Sequence, residues 1–287
     1  MMKKMLMVVV GLIVFAVSPA LAADQGTTGA AAPVLRYGVG ARAAGMGDAY
    51  IAIVDDATAT YWNPAGLSLA DRPMINMMHS AMFVGTNYDY IGWSTPAGAG
   101  NWGISYLSLV TPGILNTHGT DTNASTNVLY GGYGWKWHSW RFGVTGKYIQ
   151  EDLLGATGGG VGVDAGLQAD LTDHYQLGLV IRDALGTRIN WESSPTEEVP
   201  RNYRLGLAYH REALLMVAEY EKADQLLTTH FGVEYQLNDF LKIRGGMKNN
   251  DLTAGIGITK DGWQFDYAFC AGDLENTQRL SLTVKLK

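Results

Sequence analysis

The chain has almost no cysteine. Cys270 is the only one in 287 residues, so no disulfide within one chain can stabilise the fold. A basic excess is also missing, because the net charge is −6 and nucleic-acid-binding proteins usually present a basic face. Beyond the N-terminal end, no apolar stretch approaches the roughly 18 residues of a membrane-spanning helix. These absences disfavour a disulfide-rich domain, a nucleic-acid-binding protein and a helical membrane protein.

Residues 1–22 have the pattern of a secretory signal peptide. Two lysines precede an apolar run over residues 5–17, and Ala-Leu-Ala at 20–22 puts small side chains at the cleavage positions. The alternative is an uncut membrane anchor, which the cleavage site and the lack of a following basic cluster disfavour. We therefore expect an exported chain whose mature form begins at Ala23.

From about residue 74 onward, apolar side chains recur at every second position, which is the period of a β-strand. In the segment 225–237, for example, Phe231, Val233 and Tyr235 share one face, while His230 and Glu234 share the other. Most such segments have the about 9–12 residues that a tilted strand needs to cross a bilayer. The fourteen segments span 74–82, 86–95, 101–110, 125–136, 139–150, 159–171, 174–184, 201–210, 213–221, 225–237, 239–247, 250–259, 262–271 and 277–286.

The connections between these segments alternate in length. Tight turns alternate with connections that we expect to be longer, at 111–123, 151–158, 186–200 and 272–277. Outer-membrane barrels have short periplasmic turns and longer outer loops, and an even number of strands returns the chain to its starting side. The pattern therefore places both ends of the predicted strand region in the periplasm.

A soluble β-sandwich also alternates, so alternation alone does not distinguish it from a membrane barrel. One row of these strands is charged, however, and unpaired charges are costly to bury in a soluble core. In a wide barrel the same row would line a watery lumen, and the aromatic residues near strand ends fit interfacial girdles. No repeat of about 40–50 residues supports a propeller. We predict an all-β fold, a 14-stranded antiparallel transmembrane β-barrel over 74–287, in the bacterial outer membrane.

The charged row is a candidate functional feature of the barrel. We expect its members to form ion pairs along the wall, and ion selectivity is the alternative role. The predicted lumen charges are Arg141, Lys147, Asp164, Arg182, Arg204, Glu219, Glu234, Arg244, Asp266 and Arg279.

Residues 23–73 do not alternate and are rich in glycine and alanine. A 14-stranded barrel leaves an open lumen unless something fills it, so we predict that this region folds inside as a plug, or hatch. Pro64 fixes a turn, and Asn63 can bond its own backbone two residues on. Asp55 and Asp56 could form a catalytic pair, but we favour one capping a short helix and the other pairing with Arg42 or a wall arginine. The residues with a predicted gating role are Arg42, Asp55, Asp56, Asn63, Pro64 and Ala65.

The sequence contains no convincing catalytic or metal-binding motif. A loose glycine fingerprint at 38–43 lacks a surrounding βαβ unit, and the six histidines have no metal-ligand spacing. An outer-membrane lipase is the enzymatic alternative, but no nucleophile–base arrangement supports it. We predict no enzymatic activity, no metal and no cofactor.

Three stretches of the predicted plug resemble a known family. They are GARAAGMG at 40–47, DDATA at 55–59 and WNPAGL at 62–67, and they are similar to the N-terminal signature of the PorV/PorQ family of FadL-like outer-membrane barrels. Asp48 departs from the family pattern, which usually has a second glycine there, and the chain ends in Leu286-Lys287 rather than in an aromatic residue. The resemblance implies a 14-stranded barrel with a hatch that contains the Asn-Pro-Ala element.

The resemblance also suggests two functions. FadL itself moves hydrophobic molecules across the outer membrane, whereas PorV-like members serve protein secretion by handling cargo there. The expected partners are therefore outer-membrane lipid and either a hydrophobic small molecule or a secreted protein, with no nucleic acid.

Overall fold

The computed structural model describes residues 32–115, 121–192, 195–272 and 275–286. The predicted signal peptide and the first part of the predicted plug, residues 23–31, lie outside the described residues. Within the part of the chain that is described, no helix is long and apolar enough to cross a bilayer.

Sixteen β-strands make up nearly all of the regular structure of the described residues. In chain order they are β1 (Met74–Ala81), β2 (Asn87–Ala97), β3 (Gly100–Leu115), β4 (Asp121–Trp137), β5 (Trp140–Leu153), β6 (Ala156–Asp170), β7 (Tyr175–Arg182), β8 (Thr187–Trp191), β9 (Glu197–Val199), β10 (Asn202–Arg211), β11 (Leu214–Ala223), β12 (Leu226–Gln236), β13 (Leu241–Lys248), β14 (Asp251–Lys260), β15 (Trp263–Cys270) and β16 (Thr277–Lys285).

These strands form a closed antiparallel barrel, as predicted. Each wall strand pairs with its neighbours in the chain, and β1 pairs with β16 to close the ring, for example through Asn76 opposite Thr283. The short strands β8 and β9 add no wall position, because β8 continues β7 along β6 and β9 continues β10 along β8. The wall therefore has fourteen strands.

Two of the predicted long connections are wrong. The predicted loop at 151–158 is a two-residue turn at Leu154 and Gly155, whose φ angles of 55° and 87° suit a tight hairpin that follows the strand twist. The predicted loop at 186–200 contains β8 and β9. The sequence pattern missed these strands because they have only five and three residues, too few to show a period of two.

The barrel wall is taller on one side. Strands β3 to β6 have 16, 17, 14 and 15 residues, whereas β1, β7, β13 and β15 have 8 each. The predicted third and fourth strands, 101–110 and 125–136, were too short for this reason. The extensions, TPGIL at 111–115 and DTNA at 121–124, do not alternate between apolar and polar residues, so the pattern that identified the strands stops before the hydrogen bonding does.

The two faces of the wall differ as a membrane barrel requires. Outward side chains are large and apolar, such as Trp102 and Phe265, which are 54% and 56% exposed. Inward side chains are buried; many are small, polar or charged, and some, such as Leu107 and Ile149, are apolar. Because side chains alternate across a strand, the period-two pattern separates these faces directly.

Residues 32–73, which we call the inner segment, pack largely against the inward face of the barrel wall. The segment contacts opposite walls, since Arg42 bonds Glu234 of β12 and Asn63 bonds the backbone of β6. Its short helical pieces are Pro33–Arg36, Ala41–Ala44, Ala59–Trp62 and Pro64–Leu69. It forms a continuous buried cluster with inward side chains such as Leu107 and Ile149.

Candidate functional site

The Asn-Pro-Ala element forms a tight turn that is bonded to the wall. The Asn63 side chain accepts a hydrogen bond from the Ala65 backbone N–H at 3.1 Å, so it closes the start of the Pro64–Leu69 turn. Its amide nitrogen donates to the carbonyls of Ile51 at 2.9 Å and Leu167 at 3.1 Å. One buried side chain therefore joins the turn, an earlier part of the inner segment and strand β6.

Glycines of the wall make room for this turn. A methyl group on Gly134 of β4 would lie 2.7 Å from the Pro64 carbonyl oxygen, and methyl groups on Gly143 and Gly166 would overlap the Asn63–Ala65 backbone or side chain. On β3, Asn101 donates to the carbonyls of Leu67 and Ala70 at 2.7 and 2.8 Å. The turn rests on a surface that only glycine allows, and neutral hydrogen bonds hold it there.

Arg42 binds the opposite wall through charges. The helix Ala41–Ala44 directs its guanidinium to Glu234, with N–O distances of 3.0 and 3.2 Å, and to Asp55 at 3.0 Å. Glu234 in turn accepts from Arg244 at 2.6 Å, and Arg244 pairs with Asp266 at 2.8 Å. The result is a continuous chain of alternating charges from the inner segment to β15.

The two adjacent aspartates have different environments. Asp55 pairs with Arg42 and its side chain is 52% exposed. Asp56 is half-buried and accepts the Thr58 backbone N–H at 2.8 Å and the Thr58 hydroxyl, just before the helix Ala59–Trp62. Burial, and then the charge of Asp55, raise the pKa of Asp56 above its ordinary value. Asp55 therefore has the ion-pair role that the sequence favoured. Asp56 forms a turn with Thr58, the N-cap residue of the helix, and does not itself cap the helix.

All ten predicted lumen charges lie on the inner face, but they do not line a watery lumen. Each is at most 7% exposed, because the inner segment fills the space beside them. Lys147 pairs with Asp164 at 2.8 Å and with Asp183 at 2.9 Å. Further pairs join Arg204 to Glu219 and Arg141 to Asp170. The expectation of a wet, charge-lined bore is therefore wrong for the described residues.

Sequence reasoning missed two links between the inner segment and the wall. Asp48 adopts a φ of 61° and bonds Lys248 at 3.1 Å, with Arg279 at 3.8 Å. The clue in the sequence was that Asp48 stands where the resembling family usually has glycine. A non-glycine residue with a positive φ is uncommon, so a compensating contact is expected there. His230 places its ring nitrogens 2.7 Å from the Gly47 carbonyl and 2.9 Å from Glu221. The only clue in the sequence was that the alternation of β12 places His230 on the inward face.

A polar cavity of about 450 Å³ opens at the end of the barrel where β1 begins. Its lining includes Arg42, Asp55, Asp56, Lys242 and Gln264. Away from this cavity, the lumen holds a packed apolar and aromatic cluster beside buried charges such as Lys147 and Arg182. No group of three or more potential ligands among the residues described could hold a metal ion.

Comparison with solved structures assigns the architecture. The toluene transporter TbuX of Ralstonia pickettii superposes with a TM-score of 0.64 at 12% identity, over 87% of this chain and 99% of that one. The toluene transporter TodX of P. putida gives 0.64 at 14%, over 87% and 99%, and a Pseudomonas aeruginosa FadL homologue gives 0.64 at 11%, over 85% and 98%. The chain has the fold of the FadL-like barrels.

Comparisons of the sequence alone found no relative. No family profile matches this FadL-like barrel, and no curated protein matches its sequence. At 11–14% identity the structural neighbours show a shared fold, so the activity of the chain has to be argued from its own residues.

Proposed function

We propose that this protein is an outer-membrane conduit for hydrophobic small molecules, without enzymatic activity. The observation that carries the proposal is the apolar cluster inside the barrel. There, inward side chains of three neighbouring strands, Leu107, Val128 and Ile149, are fully buried in one cluster with Val34 and Leu35 of the inner segment. The inward charged row lies elsewhere on the wall. An apolar patch in this part of the lumen fits a barrel that receives a hydrophobic molecule from the side opposite the polar cavity. The fold shared with toluene transporters supports the same assignment.

The inner segment acts as the hatch in this proposal. It packs into the apolar cluster and also lines the polar cavity, so a molecule passes only when part of the segment withdraws. The wall contacts of Arg42 and of the Asn63–Ala65 turn regulate this movement, and Asp55 holds Arg42 in position. The place of Arg42 in the lining of the polar cavity, with its bonds to the wall, supports a gating role.

A disulfide that locks the inner segment tests the proposal. Cys270 of β15 packs against Ala41 and Ala44, and its sulfur lies 3.9 Å from the Ala44 carbonyl oxygen. Ala44→Cys therefore puts a second thiol beside the native one. Whole cells of a Gram-negative host would be assayed for uptake of the fluorescent probe N-phenyl-1-naphthylamine. We expect fast uptake with the wild type, slow uptake with the oxidised variant and recovery after reduction.

The matched control combines Ala44→Cys with Cys270→Ser, which cannot form the bond. Its uptake should be the same in oxidising and reducing conditions. If the locked barrel and its reduced form admit the probe equally, or if the wild type admits none beyond the host background, the conduit proposal fails.

A PorV-like docking role in protein secretion is the second candidate. The observation in its favour is the filled lumen, because a docking scaffold needs no passage, and the sequence motifs of the inner segment resemble that family. Deleting residues 32–73 in the source organism separates the two candidates. Secreted proteins that accumulate in the periplasm would favour docking, whereas a change in small-molecule permeability alone would favour the conduit.

A further inference from the structure

His230 of β12 lies between two groups that accept hydrogen bonds. Its Nδ1 lies 2.7 Å from the Gly47 carbonyl oxygen, and its Nε2 lies 2.9 Å from a carboxylate oxygen of Glu221 on β11. The ring is buried, with 1% of its side chain exposed. A neutral imidazole has one N–H and one bare nitrogen, so it can donate to only one of these two neighbours.

The contact between His230 and Glu221 therefore holds an additional proton. If Nδ1–H donates to Gly47, a proton must also lie between Nε2 and the carboxylate, as an imidazolium or as a carboxylic acid. The second oxygen of Glu221 accepts from the Asn202 side-chain amide, which fixes the carboxylate beside the ring. The proton belongs to the pair of residues rather than to either one.

The contact with Gly47 joins the inner segment to the wall. The turn at residues 46–48 packs tightly on β13, since a methyl group on Gly47 would lie 2.6 Å from the Met247 backbone nitrogen. The Gly47 backbone N–H donates to the Thr253 hydroxyl of β14 at 3.0 Å, and its carbonyl accepts from His230. The His230 ring thus holds this turn against β12.

Loss of the additional proton removes the bond to Gly47. One N–H of His230 then has two acceptors, and a hydrogen bond to a carboxylate is stronger than one to a neutral carbonyl. The remaining N–H therefore goes to Glu221, and the bare ring nitrogen faces the Gly47 carbonyl oxygen. Because a buried carbonyl without a donor is costly, the turn should separate from β12 more often.

Charged groups face the pair from every element packed against it. Asp48 already accepts from Lys248 at 3.1 Å, and Glu219 already pairs with Arg204, so neither acid can replace Glu221 beside the ring. Most of the surrounding charges are cations, so the ring retains its second proton mainly because of Glu221. Among the described residues these groups are Asp48 of the inner segment, Arg182 of β7, Arg204 of β10, Glu219 of β11, Lys248 of β13 and Arg279 of β16.

Glu221 connects the pair with the medium outside the cell. Its side chain is 12% exposed, against 1% for His230. It lies two residues before the end of β11, at the end of the barrel opposite to the start of β1. In an outer-membrane barrel whose two ends are periplasmic, this is the outer side. The proton can therefore exchange with the external medium through Glu221.

We propose that His230 and Glu221 form a proton-dependent latch, which ties the turn at residues 46–48 to the wall and loosens it as the external pH rises. The regulatory meaning of the latch rests on the proposed conduit function, since it makes movement of the hatch depend on external pH. The latch itself can be measured without transport.

Hydrogen exchange by mass spectrometry tests the latch in the full chain in a neutral detergent. Protection factors, which correct for the intrinsic effect of pH on exchange, would be measured for the peptide covering residues 43–50 between about pH 5 and pH 10. We expect the protection of the wild type to fall at least about tenfold as pH rises. NMR should show the nitrogen resonances of the His230 ring changing over the same range of pH.

Glu221→Gln is the matched variant, because it keeps the hydrogen bonds and removes the titration. The new amide oxygen can accept from Asn202, and its N–H can donate to a neutral His230 ring that still donates to Gly47. Protection in this variant should stay high at every pH. His79→Gln is the control for histidine titration elsewhere, because His79 is exposed and pairs with Asp89, and it should behave as the wild type.

Two results would overturn the latch. One is a protection of the wild type that does not change over this range of pH, which needs no variant to fold. The other is a fall in the Glu221→Gln variant as steep as in the wild type. Probe uptake does not enter this experiment, so failure of the latch leaves the conduit proposal to the disulfide experiment, and failure of the conduit proposal leaves the latch standing.

Discussion

Replacing Gly134 by alanine should loosen the Asn-Pro-Ala turn. The added methyl group would lie 2.7 Å from the Pro64 carbonyl oxygen and 2.9 Å from the Ser68 backbone nitrogen. To restore ordinary contact at 3.4 Å, the turn must retreat by about 0.7 Å. That movement also stretches the 2.7 Å bond from Asn101 to Leu67. Overpacking of this kind costs about 1–3 kcal/mol, so local opening should be roughly 5- to 150-fold more frequent.

Hydrogen exchange by mass spectrometry measures this opening in the peptide that covers residues 58–70. Gly131→Ala is the control on the same strand, because Gly131 faces outward and a methyl group there meets nothing within 4 Å. Alanine suits a strand better than glycine, so the control should be neutral or slightly stabilising. If the two variants exchange at the same rate in this peptide, the idea of a glycine-lined seat for the turn is refuted.

Further variants probe the charged contacts of the inner segment. Arg42→Met removes two hydrogen bonds to the buried Glu234, so the inner segment should lose about 1–3 kcal/mol of local stability. Hydrogen exchange should then be faster in residues 37–57. Arg188→Met, at an exposed ion pair, should change hydrogen exchange little. Asp56 has a raised pKa in the folded protein, so its contribution to stability is fully present below the unfolded value near 3.8 and is lost as pH rises through the folded value. Asp56→Asn should therefore flatten the fall in melting temperature between acidic and neutral pH, and an unchanged pH profile would show that Asp56 does not titrate in this range.

Much of the wall could be read from the sequence because a strand has a strict period of two. Inward parity alone places Arg141, Lys147 and Glu234 on the face where the structure has them. The Asn63–Pro64 turn could also be anticipated, since proline and asparagine determine local backbone geometry. The pairing of Arg42 with Asp55 could also be predicted, because both residues belong to one short segment.

Other features required the folded chain. The height of β3 and β4 depends on hydrogen bonding that continues where the apolar alternation has stopped, and β8 and β9 are too short to show a period. The solvation of the inward charges was misjudged because it depends on how fully residues 32–73 fill the barrel.

The sequence by itself determined which side chains face lipid and which face inward, because alternation is a property of one strand and needs no partner. Only the tertiary structure decided which inward groups meet. Arg244 finds two carboxylates while Arg182 finds a backbone carbonyl, and both arginines look alike in the sequence. The reason is that such contacts join residues far apart in the chain, and the register of the strands and the path of the inner segment set their distances.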